Sequence, residues 1–366
     1  MLLKRKRRPR LAVQLAKQMK KSVGPDAEKA QLDFLSSGST TLNLALSGKP
    51  NGGWARGRVL NLVGDGGAGK TLEALELAFW CWKHIKNIKP KHYPKVKKVL
   101  IVYNNAEEFL DMPIEKMYGK EFYEAVDWRH VSTPEAAIRD LGKEVKHLRE
   151  GTFLLYIIDS WDALQPVDEK KNFEVAMKTG NEMKIPQLAR KATAGQTFFK
   201  WLVGAIDGKD ATIMVISQVR DIIGATYGPK KRRTGGSALD FYTHQVLWLR
   251  EVEKMKVKRM GHVRVTGIRV EGKVKRSKVA KPFRTAEFQI LFDMGIDDVS
   301  SMIDFVYGPR KTKKLKWNGK MFKHRSQLVR YIEKNNLECR LVEKTQRVWE
   351  KIEAASDTTI GRKSRF

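Results

Sequence analysis

The run Gly64-Asp65-Gly66-Gly67-Ala68-Gly69-Lys70-Thr71 has the residue types and spacing best suited to chemistry in this chain. It fits G-x-x-x-x-G-K-[ST], in which glycines let the backbone curl and aim several N–H groups at one anion. Lys70 is then placed to neutralise the outer phosphates of a nucleoside triphosphate, and Thr71 to offer its hydroxyl to Mg²⁺. Contacts are expected along the whole loop, from Gly64 to Leu72. Hydrolysis at such a loop also needs a carboxylate near the metal and a second group that orients water. The apolar run 153–158 ends on Asp159, which is expected to hold Mg²⁺ through water. The run 99–103 leads into Asn104-Asn105-Ala106-Glu107-Glu108, which leaves Glu107 or Glu108 as the water-activating candidate.

These groups need strands that end on one edge and helices that start there. The apolar β-type runs 59–63, 99–103, 153–158, 212–217 and 245–249 alternate with helical patterns at 72–86, 134–149 and 187–206. Such alternation predicts an α/β fold, a mostly parallel sheet covered by helices. Leu72, Leu75, Phe79 and Trp82 recur at helical spacing after the loop, so a phosphate there would meet a helix N-terminus. Runs near 263–270 and 286–292 lack long intervening helices, which predicts antiparallel hairpins at the end of the sheet.

The formal net charge is +30, from 71 Lys+Arg against 41 Asp+Glu, and that excess points to a polyanionic partner. No apolar run reaches membrane-spanning length, so a membrane is not expected. Two cysteines, Cys81 and Cys339, lie far apart, which argues against a disulfide framework and for a reducing compartment. The first acidic residue is Asp26; the basic segment before it reads as a short amphipathic helix, with an organellar transit peptide as the alternative.

Further motifs follow in a fixed order. Asn105-Ala106-Glu107, Asp159-Ser160, Ser217-Gln218-Val219-Arg220 and Thr234-Gly235-Gly236-Ser237-Ala238-Leu239 succeed the phosphate loop, and Lys281-Pro282-Phe283-Arg284-Thr285-Ala286-Glu287-Phe288-Gln289-Ile290-Leu291 comes last. Phe34-Leu35-Ser36-Ser37-Gly38-Ser39 and Leu42-Asn43-Leu44-Ala45-Leu46 precede it. This ordered set resembles the bacterial RecA recombinase family over about residues 30–308.

The resemblance implies a RecA-like P-loop ATPase core, ATP and Mg²⁺ as cofactors, and a DNA-dependent ATP hydrolase. It would polymerise on single-stranded DNA and exchange strands with a homologous duplex. Implied partners are single- and double-stranded DNA, further copies in a helical filament, and a single-strand-binding protein or loading mediator. A cytoplasmic location goes with them. Glu107 would polarise the attacking water, and Gln218 would sense the γ-phosphate; its alternative is a satisfied strand-end amide. Arg276 and Lys278 would reach across a subunit interface to the γ-phosphate, and their i, i+2 spacing puts both on one strand face. Phe241 would be an interface aromatic, or else a core residue. DNA contacts would come from two loops. One lies around 175–197 with Arg190 and Thr193. The other, 218–236, brings Arg220, Ile223, Gly224, Ala225, Thr226, Tyr227, Lys230, Lys231, Arg232, Arg233, Thr234, Gly235 and Gly236. Tyr227 would stack on bases or be buried.

The expected division is a basic N-terminal helix and lead-in for oligomerisation (1–35), the core (36–308), a basic linker (309–316), a small C-terminal domain (317–355) and a disordered tail (356–366). The C-terminal pattern is Leu328, Val329, Ile332, Leu341, Val348 and Ile352. Several positions depart from the family. Asp221 replaces an apolar residue, Lys230 to Arg233 is unusually basic, Glu115 replaces an adenine-stacking tyrosine with Tyr118 as a substitute, and 311–323 is basic where the family tail is acidic. They suggest a divergent, phage-encoded member. Two rivals stay open: a RecA-fold helicase or branch-migration motor, and a DNA-coating protein that binds ATP only structurally.

Overall fold

Strand β6 (Thr152–Asp159) shows why the sheet lies at the centre. Phe153, Leu155 and Ile157 point to one face and Leu154, Tyr156 and Ile158 to the other, and all are buried. A strand buried on both sides belongs inside a sheet covered by helices on both faces. A computed structural model describes residues 32–107, 112–167, 189–221, 231–233, 238–308 and 315–356, with 171, 175, 177 and 178 besides.

Strands β1 (Phe34–Leu35) and β2 (Trp54–Ala55) pair by themselves, and across the main sheet the order is β12 (Gly295–Asp297), β11 (Thr285–Leu291), β10 (His262–Ser277), β9 (Gln245–Arg259), β3 (Val59–Gly64), β7 (Ala211–Asp221), β6, β4 (Lys98–Asn105) and β5 (Val126–Arg129). The strands from β9 through β5 pair in parallel, whereas β9, β10, β11 and β12 pair antiparallel, as their missing helices foretold. Helices Thr40–Ser47 and Lys70–His84 cover one face; Pro134–His147 and Ala189–Ala205 cover the other. The parallel strands β3, β7, β6 and β4 therefore deliver Gly64, Gln218, Asp159 and Asn105 toward one edge.

Several boundaries differ from the sequence reading. β9 and β10 run well past 245–249 and 263–270 as a long hairpin. β5 was not foreseen, because its Asp127 and Arg129 are polar; Arg129 holds Asp127, Asp140 and Glu144 at 2.5, 2.8 and 2.7 Å. Leu315 and Lys316, read as linker, belong to β13 (Leu315–Trp317), which pairs with β14 (Lys320–Phe322). Leu328, Ile332 and Leu341 do cluster, but with Met302 and Ile303 from helix Asp298–Tyr307. In the last helix, Glu338–Ala355, the buried stripe is Leu341, Thr345 and Trp349, while Val348 is half-buried and Ile352 exposed. Trp349 returns to the main core, and Arg284 binds Glu353 beside it at 2.5 Å. Cys81 is buried, Cys339 exposed, and both are free. Among the described residues no helix is long and apolar enough to cross a membrane. The N-terminal segment up to 31 and the tail 357–366 lie outside the described residues.

One core group sits under stress. Glu73 is fully buried beneath the phosphate loop and accepts a hydrogen bond from Trp54 Nε1 at 2.9 Å. Its second oxygen finds no partner among the described residues, and burial holds its carboxyl well above the ordinary 4.5. A carboxyl raised on folding binds its proton more tightly in the folded chain. Its stabilising share is therefore greatest below about pH 4.5 and is lost as pH climbs toward the folded value. Glu73→Gln keeps the acceptor without the charge. It is expected to raise the thermal midpoint at pH 8 by about 2 °C or more and to leave it nearly unchanged at pH 4. A uniform shift at both values would contradict a proton held on Glu73.

Candidate active site

The phosphate loop is built by close approach. A Cβ on Gly64 would lie 2.7 Å from the Leu249 carbonyl oxygen, and Gly69 takes φ +84 where a Cβ would meet Ile290 Cδ1 at 2.5 Å. Gly66 and Gly67 are exposed, so the loop opens to solvent above helix Lys70–His84. Lys70 Nζ donates to the Asp65 carbonyl at 2.7 Å, an internal hold that an incoming anion can replace. Burial lowers the Lys70 pKa, and the nearby Asp159 carboxylate opposes that shift.

Asp159 is buried at the end of β6. Thr71 Oγ1 donates to its Oδ2 at 2.8 Å and Tyr103 OH to the same oxygen at 2.7 Å. Burial pushes this carboxyl up, against the pull of its two donors. The two residues expected to share Mg²⁺ thus lie within hydrogen-bond distance of each other. Tyr103 was missed; a hydroxyl-tipped aromatic in a buried strand was the available signal, since such a tip needs a partner.

Glu107 follows β4 and meets Asp159's neighbour: Ser160 Oγ donates to Glu107 Oε1 at 2.6 Å. Gln218 Nε2 donates to the same oxygen at 2.9 Å, and Gln218 N donates to Asp162 Oδ2 at 2.7 Å. Gln218 is exposed, and its amide is satisfied by the Glu107 carboxylate. It does not end its strand. β7 continues to Asp221, where Val219 to Asp221 pair with β8 (Lys231–Arg233). Glu108 lies outside the described residues.

The hairpin stem corrects one assignment. Arg233, read as a DNA contact, has its side chain only 4% exposed. Its Nη1 donates to Asn61 Oδ1 at 2.8 Å and its Nη2 lies 3.2 Å from Asp240 Oδ2, so it ties the hairpin to the core. Arg220 is exposed. The side chains of Lys231 and Arg232 are not described, and Ile223, Gly224, Ala225, Thr226, Tyr227, Lys230, Thr234, Gly235 and Gly236 lie outside the described residues. Arg190 and Thr193 stand in the first turns of helix Ala189–Ala205, with their side chains outside the description.

Arg276 and Lys278 stand at the other end of the sheet. Ser277 pairs with Gln245, and Gln245 with Leu60, four residues before Gly64 along β3. That is roughly 13 Å from their own phosphate loop along the strand direction, at about 3.3 Å per residue. β10 ends at Ser277 after a register shift between Val274 and Arg276, so simple alternation does not set their faces. Lys278 Nζ donates to the Phe241 carbonyl at 2.9 Å. Phe241 is 64% exposed, which removes the core reading. Burial, then Arg58 and Lys278, push nearby His244 down to about 4.

Tyr118 is not an adenine platform. It is 9% exposed, donates to Glu76 Oε1 at 3.0 Å, and packs among Phe79 and Phe122.

Glycine loop, helix N-terminus, threonine and strand-end aspartate on one edge define a nucleotide-binding α/β protein of the phosphate-loop class. The RecA N-terminal domain family matches residues 13–297, and the chain belongs to that family as a divergent, unusually basic member. It is 29% identical over 343 residues to the protein RecA of Gloeothece citriformis (strain PCC 7424), spanning 92% of this chain and 86% of that one. It is 32% identical over 281 residues to the protein RecA of Sulfurimonas denitrificans (strain ATCC 33889 / DSM 1251), covering 76% and 72%. A crystal structure of the RadB recombinase aligns with a TM-score of 0.48 at 18% identity, over 72% of this chain and 98% of that one.

Proposed function

We propose that this protein is an ATP-dependent DNA recombinase that forms a helical filament on single-stranded DNA and exchanges that strand into a homologous duplex. The hydrogen bond from Gln218 Nε2 to Glu107 Oε1, at 2.9 Å, carries the reading. It ties the carboxylate suited to orienting water to the strand that leads into the basic hairpin. A change in what Gln218 holds would move the end of β7 and the paired β8 with it.

The donor set fits ATP with Mg²⁺: Lys70 for the phosphates, Thr71 and Asp159 for the metal, and a loop whose tightness excludes side chains at Gly64 and Gly69. When bound, ATP supplies the phosphoanhydride whose hydrolysis resets the filament. Glu107 orients water and accepts its proton, with Ser160 Oγ fixing the carboxylate. Arg276 and Lys278 serve a neighbouring subunit's site, because their own lies at the opposite end of the sheet. Phe241 packs against that neighbour.

Hydrolysis by the purified chain should be stimulated by single-stranded DNA and lost in Lys70→Ala; equal rates without DNA would contradict the reading. Arg233→Ala should lower stability by about 1–3 kcal/mol through its lost internal partners. The slope of log DNA affinity against log salt should stay as in the parent. A slope shallower by about 0.7–0.9 would mean that Arg233 contacts a phosphate after all.

A further inference from the structure

The long hairpin of β9 and β10 leaves the sheet. β9 last pairs with β3 at Leu249, opposite Gly64, and β10 first pairs with β11 at Gly267. Between those points the two strands pair only with each other, around a tip at Met260 and Gly261. Beyond Met255, which lies opposite Gly267, Lys256–Arg259 and His262–Val265 carry this ribbon roughly 14 Å outward at about 3.4 Å per residue. It leaves from the edge that bears the phosphate loop, because β9 is parallel to β3.

A two-stranded ribbon buries neither face, so its surface must suit water or a partner. Lys254, Lys256 and Lys258 alternate onto one face, with Val263 opposite Lys258 and Val265 opposite Lys256. Arg264 opposite Val257, and Arg259 opposite His262, occupy the other. All of these are exposed, and Met260 at the tip is 96% exposed. The acids sit at the base, where Glu253 lies 3.8 Å from the Arg269 guanidinium.

We propose that this ribbon grips duplex DNA, lying in the major groove with its lysines and arginines on the flanking phosphates. The groove, about 12 Å wide, admits a two-stranded ribbon. Single strands are held largely by aromatic stacking, and no Phe, Tyr or Trp occurs between Trp248 and Phe283, so paired bases are the better fit. The ribbon is separate from the loops proposed for the single strand, and it does not depend on the nucleotide site.

The test uses the full chain without nucleotide, a labelled 30-base-pair duplex and a labelled single strand, with affinity followed across KCl concentrations. The triple variant Lys256→Ala, Lys258→Ala, Arg264→Ala should flatten the duplex slope of log affinity against log salt by about 2.7, or 0.9 for each lost phosphate contact. Duplex affinity at low salt should fall about tenfold or more, and single-strand affinity less than about threefold. Lys256→Arg with Lys258→Arg should keep the parental slope. An unchanged duplex slope would overturn the proposal and leave the lysines as guards against edge pairing. Equal losses on both probes, or loss in the arginine variant, would overturn it too.

Discussion

Glu107→Gln is expected to lower DNA-stimulated ATP hydrolysis by about 10²- to 10⁴-fold while nucleotide affinity stays within about threefold. Glutamine keeps the shape and an oxygen that accepts from Ser160 Oγ, now held at 2.6 Å. It removes the negative charge and the capacity to take a proton from water. In the proposed site the phosphate and metal contacts belong to Lys70, Thr71 and the loop backbone, which the change leaves alone. Ser160→Ala tests positioning separately: a fall of about tenfold or less in kcat with KM unchanged is expected, since the carboxylate survives but loses one restraint. Comparable rates for Glu107→Gln and the parent chain would move the water-orienting role elsewhere.

A second large effect concerns two subunits. Lys70→Ala alone, and Arg276→Ala with Lys278→Ala alone, should each reduce hydrolysis by about 10²-fold or more. An equal mixture should recover about a quarter of parental activity, because random head-to-tail pairing places an intact loop against intact cations at one junction in four. The expectation follows from the proposed role in trans: Arg276 and Lys278 sit at the end of the sheet away from their own loop, beside the exposed Phe241. Phe241→Ala should weaken recovery in the same mixture. A mixture no more active than its components would place the two cations outside the site.

The phosphate loop, Asp159 and Glu107 were legible because each follows an apolar strand directly, and parallel strands must end together. Long-range partners were not. Arg233 lies 172 positions from Asn61, and local sequence marks it only as one more cation in a basic run. Gln218 was read as a strand end because β8 is a short basic segment without an apolar signal. The reach of β9 and β10 was hidden for the same reason, since lysines alternating with valine resemble a solvated loop as much as a strand. In the last helix several apolar residues competed for burial, and the 3.6-residue period selected Trp349 over Val348 and Ile352.

The central claim is tested most directly by strand exchange between a single-stranded oligonucleotide and a labelled duplex, with ATP and Mg²⁺ present. A heterologous duplex and the Lys70→Ala chain serve as controls. The account predicts that the labelled strand is displaced only when the duplex matches the oligonucleotide and only by the chain with Lys70 intact. Displacement that ignores homology, or DNA-stimulated hydrolysis with no exchange, would contradict a recombinase and point to a DNA motor.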